Sequence, residues 1–141
     1  MDRVGCGGLL SAPMPVVLLV DDDELTSKAM SRLLERVGYT AVCMSSGKEA
    51  LHVLKDLRFD LVILDWMMPE MDGLHVLRRL RDDPATRDVR VMMYSAAADE
   101  EMEQEAGRLG AIDCVLKSGG FPALYERVES CLDGPAAPVC A

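Results

Sequence analysis

Short apolar runs rich in β-branched residues alternate along this chain with stretches of helical apolar spacing. That alternation constrains the fold more than any other feature. Consecutive β-α-β units build a parallel sheet with helices on both faces. Strands are predicted at 16–20, 40–44, 59–64, 89–94 and 112–116. Asp23 caps a first helix with Leu25, Ala29, Leu33, Leu34 and Val37 at helical spacing, and Gly38 closes it. Ser46-Gly47-Lys48-Glu49 fits a capping box opening a second helix that carries Ala50, Val53, Leu54 and Leu57. Leu74, Leu77 and Leu80 lie on one side of a third helix over 74–81. A fourth, rich in Glu and Ala, runs over about 99–109 and ends at Gly110. Pro122 opens a last amphipathic helix with Leu124, Val128 and Leu132. The expected fold is α/β, a doubly wound five-stranded parallel sheet with five helices. One domain over 15–133 accounts for the pattern; residues 1–14 and 134–141, rich in Gly, Pro and Ala, are expected to be flexible tails.

Two of the apolar runs end in acid. The first reads Val16-Val17-Leu18-Leu19-Val20-Asp21-Asp22-Asp23, the second Leu61-Val62-Ile63-Leu64-Asp65. In a parallel sheet their terminal carboxylates converge at the carboxyl edge, where open α/β folds place ligands. Carboxylates held together repel one another unless a hard divalent cation such as Mg2+ sits between them. An aspartate beside such an ion is suited to accept a phosphoryl group. Ser95 follows the fourth strand and Lys117 the fifth, so a hydroxyl and an ammonium reach the same edge. Each has a task in phosphoryl transfer: Asp65 attacks phosphorus, Asp22 and Asp65 hold the ion, and Lys117 and Ser95 contact the phosphoryl oxygens. Taken singly, each residue has a plainer explanation. Asp23 serves as a helix cap, a strand-terminal lysine is surface charge, and Trp66 with its methionines covers a loop. Their joint order along one sheet edge is what singles them out.

The net charge of −9 argues against unaided binding to a nucleic-acid backbone. Arg78, Arg79, Arg81, Arg87 and Arg90 form a local basic stretch, read as a solvated helix end and loop rather than a docking patch. No apolar run approaches the roughly 20 residues of a membrane helix. The N-terminus makes a poor signal peptide, so a cytoplasmic location and no membrane contact are expected. The five cysteines are odd in number and lack Cys-x-x-Cys spacing, which points to reduced thiols, with Cys43 and Cys114 buried in strands.

The chain resembles the receiver domain of two-component response regulators. The resemblance rests on the Val16–Asp23 run, the block Leu61-Val62-Ile63-Leu64-Asp65-Trp66-Met67-Met68-Pro69-Glu70-Met71-Asp72-Gly73, Val91-Met92-Met93-Tyr94-Ser95-Ala96, and Gly110-Ala111-Ile112-Asp113-Cys114-Val115-Leu116-Lys117. It implies a flavodoxin-like strand order 2-1-3-4-5. It implies that Asp65 accepts a phosphoryl group from a histidine kinase or a histidine phosphotransfer protein, as in a phosphorelay. Asp22, Asp65 and the Met67 backbone carbonyl would ligate Mg2+, with Asp21 acting through water. Ser95, Lys117 and the Ala96 backbone would contact the phosphoryl group. The output would be a downstream protein target or output domain; a phosphorylation-dependent homodimer is left open. Catalysis would be limited to self-phosphorylation and slow self-dephosphorylation.

Four positions depart from the family pattern. Ser118 stands where a proline usually follows the lysine, and a trans Lys117–Ser118 peptide is expected because a cis bond without proline costs about 2.5–4 kcal/mol. Cys114 occupies the place of the usual aromatic switch residue. Tyr94 adjoins Ser95 but should point to the opposite sheet face. Met67 and Ala97 stand where family members help place the hydrolytic water, and neither side chain offers a hydrogen bond, which implies a long-lived acyl phosphate. Two other readings compete. A pseudo-receiver, used only as an interaction module, is motivated by Ser118 and Cys114; the retained Asp21, Asp22, Asp65, Ser95 and Lys117 argue against it. A phosphohydrolase of the haloacid dehalogenase type is suggested by Asp21-x-Asp23, but Glu24-Leu25 does not continue that motif and no cap domain is evident.

Overall fold

The computed structural model describes residues 14–97 and 99–133. Of the segments expected to be tails, 1–14 and 134–141, all but Met14 lie outside the described residues. The elements run β1 (Val16–Val20), α1 (Glu24–Arg36), β2 (Thr40–Met44), α2 (Gly47–Asp56), β3 (Leu61–Asp65), α3 (Gly73–Asp82), β4 (Val91–Ser95), α4 (Glu100–Arg108), β5 (Asp113–Leu116) and α5 (Gly120–Asp133), with a 3-10 turn at Lys117–Gly119. All five strands pair in parallel, in the order β2-β1-β3-β4-β5. β1 and β3 are neighbours from which the chain winds outward in opposite directions, so their carboxyl ends form the switch point of the sheet.

The period of two along each strand divides the core into two layers. Val17, Leu19, Ile63, Met92, Tyr94 and Val115 pack with Met30 and Leu34 of α1 and Leu124, Val128 and Cys131 of α5. Leu18, Val20, Val62, Leu64, Val91 and Met93 pack with Ala50 and Leu54 of α2, Val76, Leu77 and Leu80 of α3, and Ala106 of α4. β3 is buried along its full length. Each fully buried Leu, Ile or Val there contributes about 1.5–3 kcal/mol of transfer free energy, which fixes the strand that carries Asp65.

Several local expectations shift. The buried stripe of α1 is Ser27, Met30 and Leu34, whereas Leu25 is 80% exposed and Ala29 and Val37 face solvent. The cap at Asp23 sets the helix phase: its carboxylate accepts from the amides of Leu25 and Thr26, holding Leu25 in the exposed first turn. Ser46 caps α2 by accepting from Glu49 N, but Glu49 Oε1 reaches back to the amide and hydroxyl of Ser45, not of Ser46. Cys43 is exposed and Cys114 only partly buried, because β2 and β5 are the sheet edges; Cys131 of α5 is the buried thiol. The third and fourth strands start later than predicted, and they end on the candidate site residues Asp65 and Ser95. Asp60 belongs to the preceding turn, where its Oδ2 accepts from Val16 N.

The basic stretch is only partly a solvated surface. Arg81 is half-buried, and its guanidinium donates to the carbonyls of Leu109, Gly110, Arg87 and Val89, joining α3 to the end of α4 and the loop before β4. Burial lowers its pKa from the ordinary value. Arg90 donates to the carbonyl of Cys131 in α5. Sequence pattern alone does not separate such carbonyl-binding arginines from exposed neighbours.

Candidate functional site at the carboxyl edge of the sheet

β1 delivers Asp21 and Asp22 and β3 delivers Asp65 to the same edge. The three residues each place a carboxylate oxygen within 4.8 Å of the other two. Asp21 and Asp65 are buried and Asp22 is exposed. Asp21 Oδ1 accepts from the amide of Asp23, which fixes the turn out of β1. Lys117, at the end of β5, extends across β4 to the cluster. Its ammonium lies 3.1 Å from Asp21 Oδ2 and 3.2 Å from Asp65 Oδ1. It also sits 5.3 Å from the centre of the Tyr94 ring, within cation–π range.

The electrostatics follow from this crowding. Burial pushes the Asp65 carboxyl up to about 6, the adjacent Asp21 charge adds to the rise, and Lys117 opposes it. At Lys117 burial acts to lower the pKa, but the Asp65 and Asp21 carboxylates outweigh it and hold the ammonium above its usual range. Burial likewise raises the Tyr94 phenol. Asp23 lies outside this balance: hydrogen bonds from Thr26 lower its pKa, as its capping position dictates.

The loop after Asp65 is anchored at both ends. Trp66 N donates to Tyr94 O, and Gly73 N donates to Trp66 O. A side chain at Gly73 would collide with the Asp65 carbonyl, so glycine is needed where α3 starts beneath the acidic residue. Glu70 lies in the left-handed region at φ 69°, a conformation that costs a non-glycine residue energy and is common beside functional sites. Met67 is 69% exposed at the rim.

The predicted residues thus fall into two groups. Asp21, Asp22, Asp65 and Lys117 are brought together. Ser95 reaches the edge, but its hydroxyl donates to Ala97 O at 2.7 Å and accepts from Ala97 N at 3.2 Å, so it is engaged within its own loop. Cys114 lies on the α4 side of the sheet, with its thiol pushed up to about 11 by burial and by Glu103 and Asp113. The Lys117–Ser118 peptide is trans. Tyr94 does face away from Ser95, as expected, into the α1–α5 layer. Its contact with the Lys117 ammonium was not anticipated. Register accounts for it: Asp65 pairs with Tyr94 across β3 and β4, so a lysine that reaches Asp65 passes the Tyr94 ring.

A doubly wound sheet with an acidic cluster and a lysine at its switch point defines a class of phosphate-handling α/β domain. Within that class the chain belongs to the response regulator receiver domain family, whose description matches residues 17–129. It is 32% identical over 116 residues to the polar-differentiation response regulator DivK of Brucella anthropi, covering 82% of this chain and 94% of that one. It is 34% identical to the phosphate regulon transcriptional regulatory protein PhoB of Rhizobium meliloti, but spans only 52% of it. Of a 36% identical probable cyclic di-GMP phosphodiesterase from Vibrio cholerae it spans 26%. Among solved structures, the chemotaxis protein CheY4 of Vibrio cholerae is 28% identical with a TM-score of 0.78, the match covering 85% of this chain and all of that one. The N-terminal domain of a response regulator receiver protein from Methanoculleus marisnigri is 37% identical with a TM-score of 0.71, covering 87% of this chain and 100% of that one. The flavodoxin-like order implied by the resemblance is the observed one. Among the described residues no helix is long and apolar enough to cross a membrane.

Proposed function

We propose that Asp65 is the phosphoacceptor of this receiver domain and that phosphorylation switches a partner-binding surface. The observation that carries this reading is the packing of three carboxylates within 4.8 Å beside an ammonium that touches two of them. An oxygen of Asp65 attacks the phosphorus of a phosphohistidine on a histidine kinase or histidine phosphotransfer protein; the P–N bond breaks and the histidine leaves. The donor set is all oxygen and strongly acidic, which suits Mg2+. Asp22, Asp65 and the Met67 backbone carbonyl would hold the ion, with Asp21 through water. When bound, it supplies positive charge for the transferring oxygens. Lys117 offers its charge to the phosphoryl group once Asp65 is esterified. Ser95 and the Ala96 backbone border the same edge, and Ser95 would exchange Ala97 for a phosphoryl oxygen. The added charge then biases the α4–β5–α5 surface toward a protein target or output domain, in the cytoplasm, and a homodimer is one such output. The chain acts here as a signalling switch whose only chemistry is its own phosphorylation and slow dephosphorylation.

Intact mass of the protein incubated with Mg2+ and a small acyl phosphate tests this. An adduct of about 80 Da that is lost in Asp65→Asn is expected. No Asp65-dependent adduct, with Mg2+ binding demonstrated, favours an interaction module without phosphorylation. Sustained turnover of a phosphate ester would point instead to a phosphohydrolase.

A further inference from the structure

Next to Asp65, the backbone of Trp66 is fixed by Tyr94 O and Gly73 N, and its ring is buried to 3% exposure. Yet among the described residues Trp66 Nε1 has no hydrogen-bond partner. A buried donor without a partner is exceptional in a native fold and asks for a reason. The same ring lines a small cavity with Ser95, Ala97, Met102, Glu103 and Cys114. Its solvent-sized space of about 10 Å³ is too small for a ligand. Ala97 also lines that cavity, and its carbonyl accepts from the Ser95 hydroxyl at 2.7 Å. A buried donor without an acceptor and an acceptor held by a movable donor therefore belong to residues that line one small cavity, with Ala97 at its exposed rim.

We infer that Trp66 is the second half of the switch: when Ser95 leaves Ala97, the Trp66 indole N–H takes the Ala97 carbonyl. This rests on the reading of Asp65 as phosphoacceptor, because the phosphoryl oxygens are what draw the Ser95 hydroxyl away. The exchange gains one hydrogen bond. In the resting state Ser95 satisfies Ala97 and the indole is unpaired; in the switched state Ser95 bonds the phosphoryl group and the indole satisfies Ala97. The state change thereby pairs a buried donor that the resting state leaves unpaired, which favours the switched arrangement of the β4–α4 loop. It also links that loop to the residue directly after Asp65 without an aromatic side chain at position 114. Cys114 is small enough to leave the ring room to adjust.

Trp66 is the only tryptophan in the chain, so its indole N–H gives one unambiguous resonance in ¹⁵N-labelled protein. Two arms separate the possibilities. In Ser95→Ala, with no phosphoryl analogue present, Ala97 O is free at all times. The indole resonance is expected to move downfield and its hydrogen exchange to slow by roughly fivefold or more, as a net hydrogen bond requires. In the wild type, Mg2+ with BeF3− is expected to move the resonance in the same direction, and not in Asp65→Asn. An unmoved indole in Ser95→Ala overturns the exchange whatever Asp65 does. A formed Asp65-dependent adduct with an unmoved indole overturns it as well. A shift in Ser95→Ala without any adduct in the wild type would sustain the Trp66–Ala97 pairing and defeat only the phosphoacceptor reading. If the shift disappears in Glu103→Gln, the acceptor is that carboxylate and the assignment to Ala97 fails.

Discussion

Lys117 Nζ lies 3.2 Å from Asp65 Oδ1, and the pair joins the last strand of the sheet to its central one across β4. The same ammonium is 3.1 Å from Asp21 Oδ2, so a single cation holds two buried carboxylates. Lys117→Ala removes that charge and leaves both acids facing each other. Breaking a fully buried pair costs roughly 3–5 kcal/mol. The lysine side chain retains 25% exposure, which reduces the expected loss to about 2 kcal/mol at neutral pH. Urea unfolding of the metal-free protein checks this; an unchanged midpoint would show that solvent already screens the cluster.

The Asp65 carboxyl titrates near 6 in the fold against 3.8 ordinarily. The folded state therefore binds a proton between about pH 4 and 6 that the unfolded chain has released. Stability falls as pH rises through that window, and the penalty is fully present above it. The difference corresponds to about 2–3 kcal/mol. In the metal-free protein Asp65→Asn should raise stability at pH 7 by about that amount and abolish the slope between pH 4 and 6. Thermal melts of both proteins across this range decide it; parallel curves would mean that Asp65 is already relieved by its neighbours.

Gly73 lies against the Asp65 carbonyl. Gly73→Ala has nowhere to put its methyl, because the backbone on one side and Met93 Cε at 3.0 Å on the other are both fixed in the core. Overpacking of this kind costs about 1–3 kcal/mol. The displaced strand end should also lower the rate of phosphorylation by roughly tenfold to a hundredfold, as misplacing a reacting group by about 1 Å does. Retention of the wild-type rate in a stably folded variant would remove Gly73 from the positioning of Asp65.

No hydrogen-bonding side chain stands at Met67 or Ala97 to orient a water for hydrolysis. A phosphorylated wild type should persist for minutes or longer. Met67→Asn, at an exposed position that tolerates polarity, should shorten that lifetime by roughly tenfold if a side-chain amide there can hold the water. Following loss of the adduct by mass over time gives both numbers, and a wild-type half-life well under a minute would contradict the account.

The parallel sheet and the meeting of Asp21, Asp22 and Asp65 were legible in the sequence because both depend on simple periodicities, whereas the strand order rested on the resemblance to receiver domains. Fully apolar runs ending in acid fix which residues leave the sheet and at which edge. The helix faces were less legible. In α1 the pattern of leucines suggested Leu25 and Val37 as core, but the cap at Asp23 rotates the helix so that Met30 and Ser27 are buried instead. Cys43 looked like a core residue because β2 reads as apolar; only the sheet order makes β2 an edge strand.

What the sequence determined by itself is the chemistry placed along the chain: the acids at two strand ends, the lysine after the last strand, and the glycines and aspartates that start and stop the helices. These follow from local rules that act over a few residues. What only the tertiary structure decided is which atoms of those groups pair and in what state. Lys117 pairs with Asp21 and Asp65 and covers Tyr94, Ser95 turns to Ala97, Arg81 collects four carbonyls, and the Trp66 indole N–H finds no partner among the described residues. Such pairings depend on distances between segments remote in the chain and on the exclusion of water around them, and both exist only once the sheet has closed against its helices.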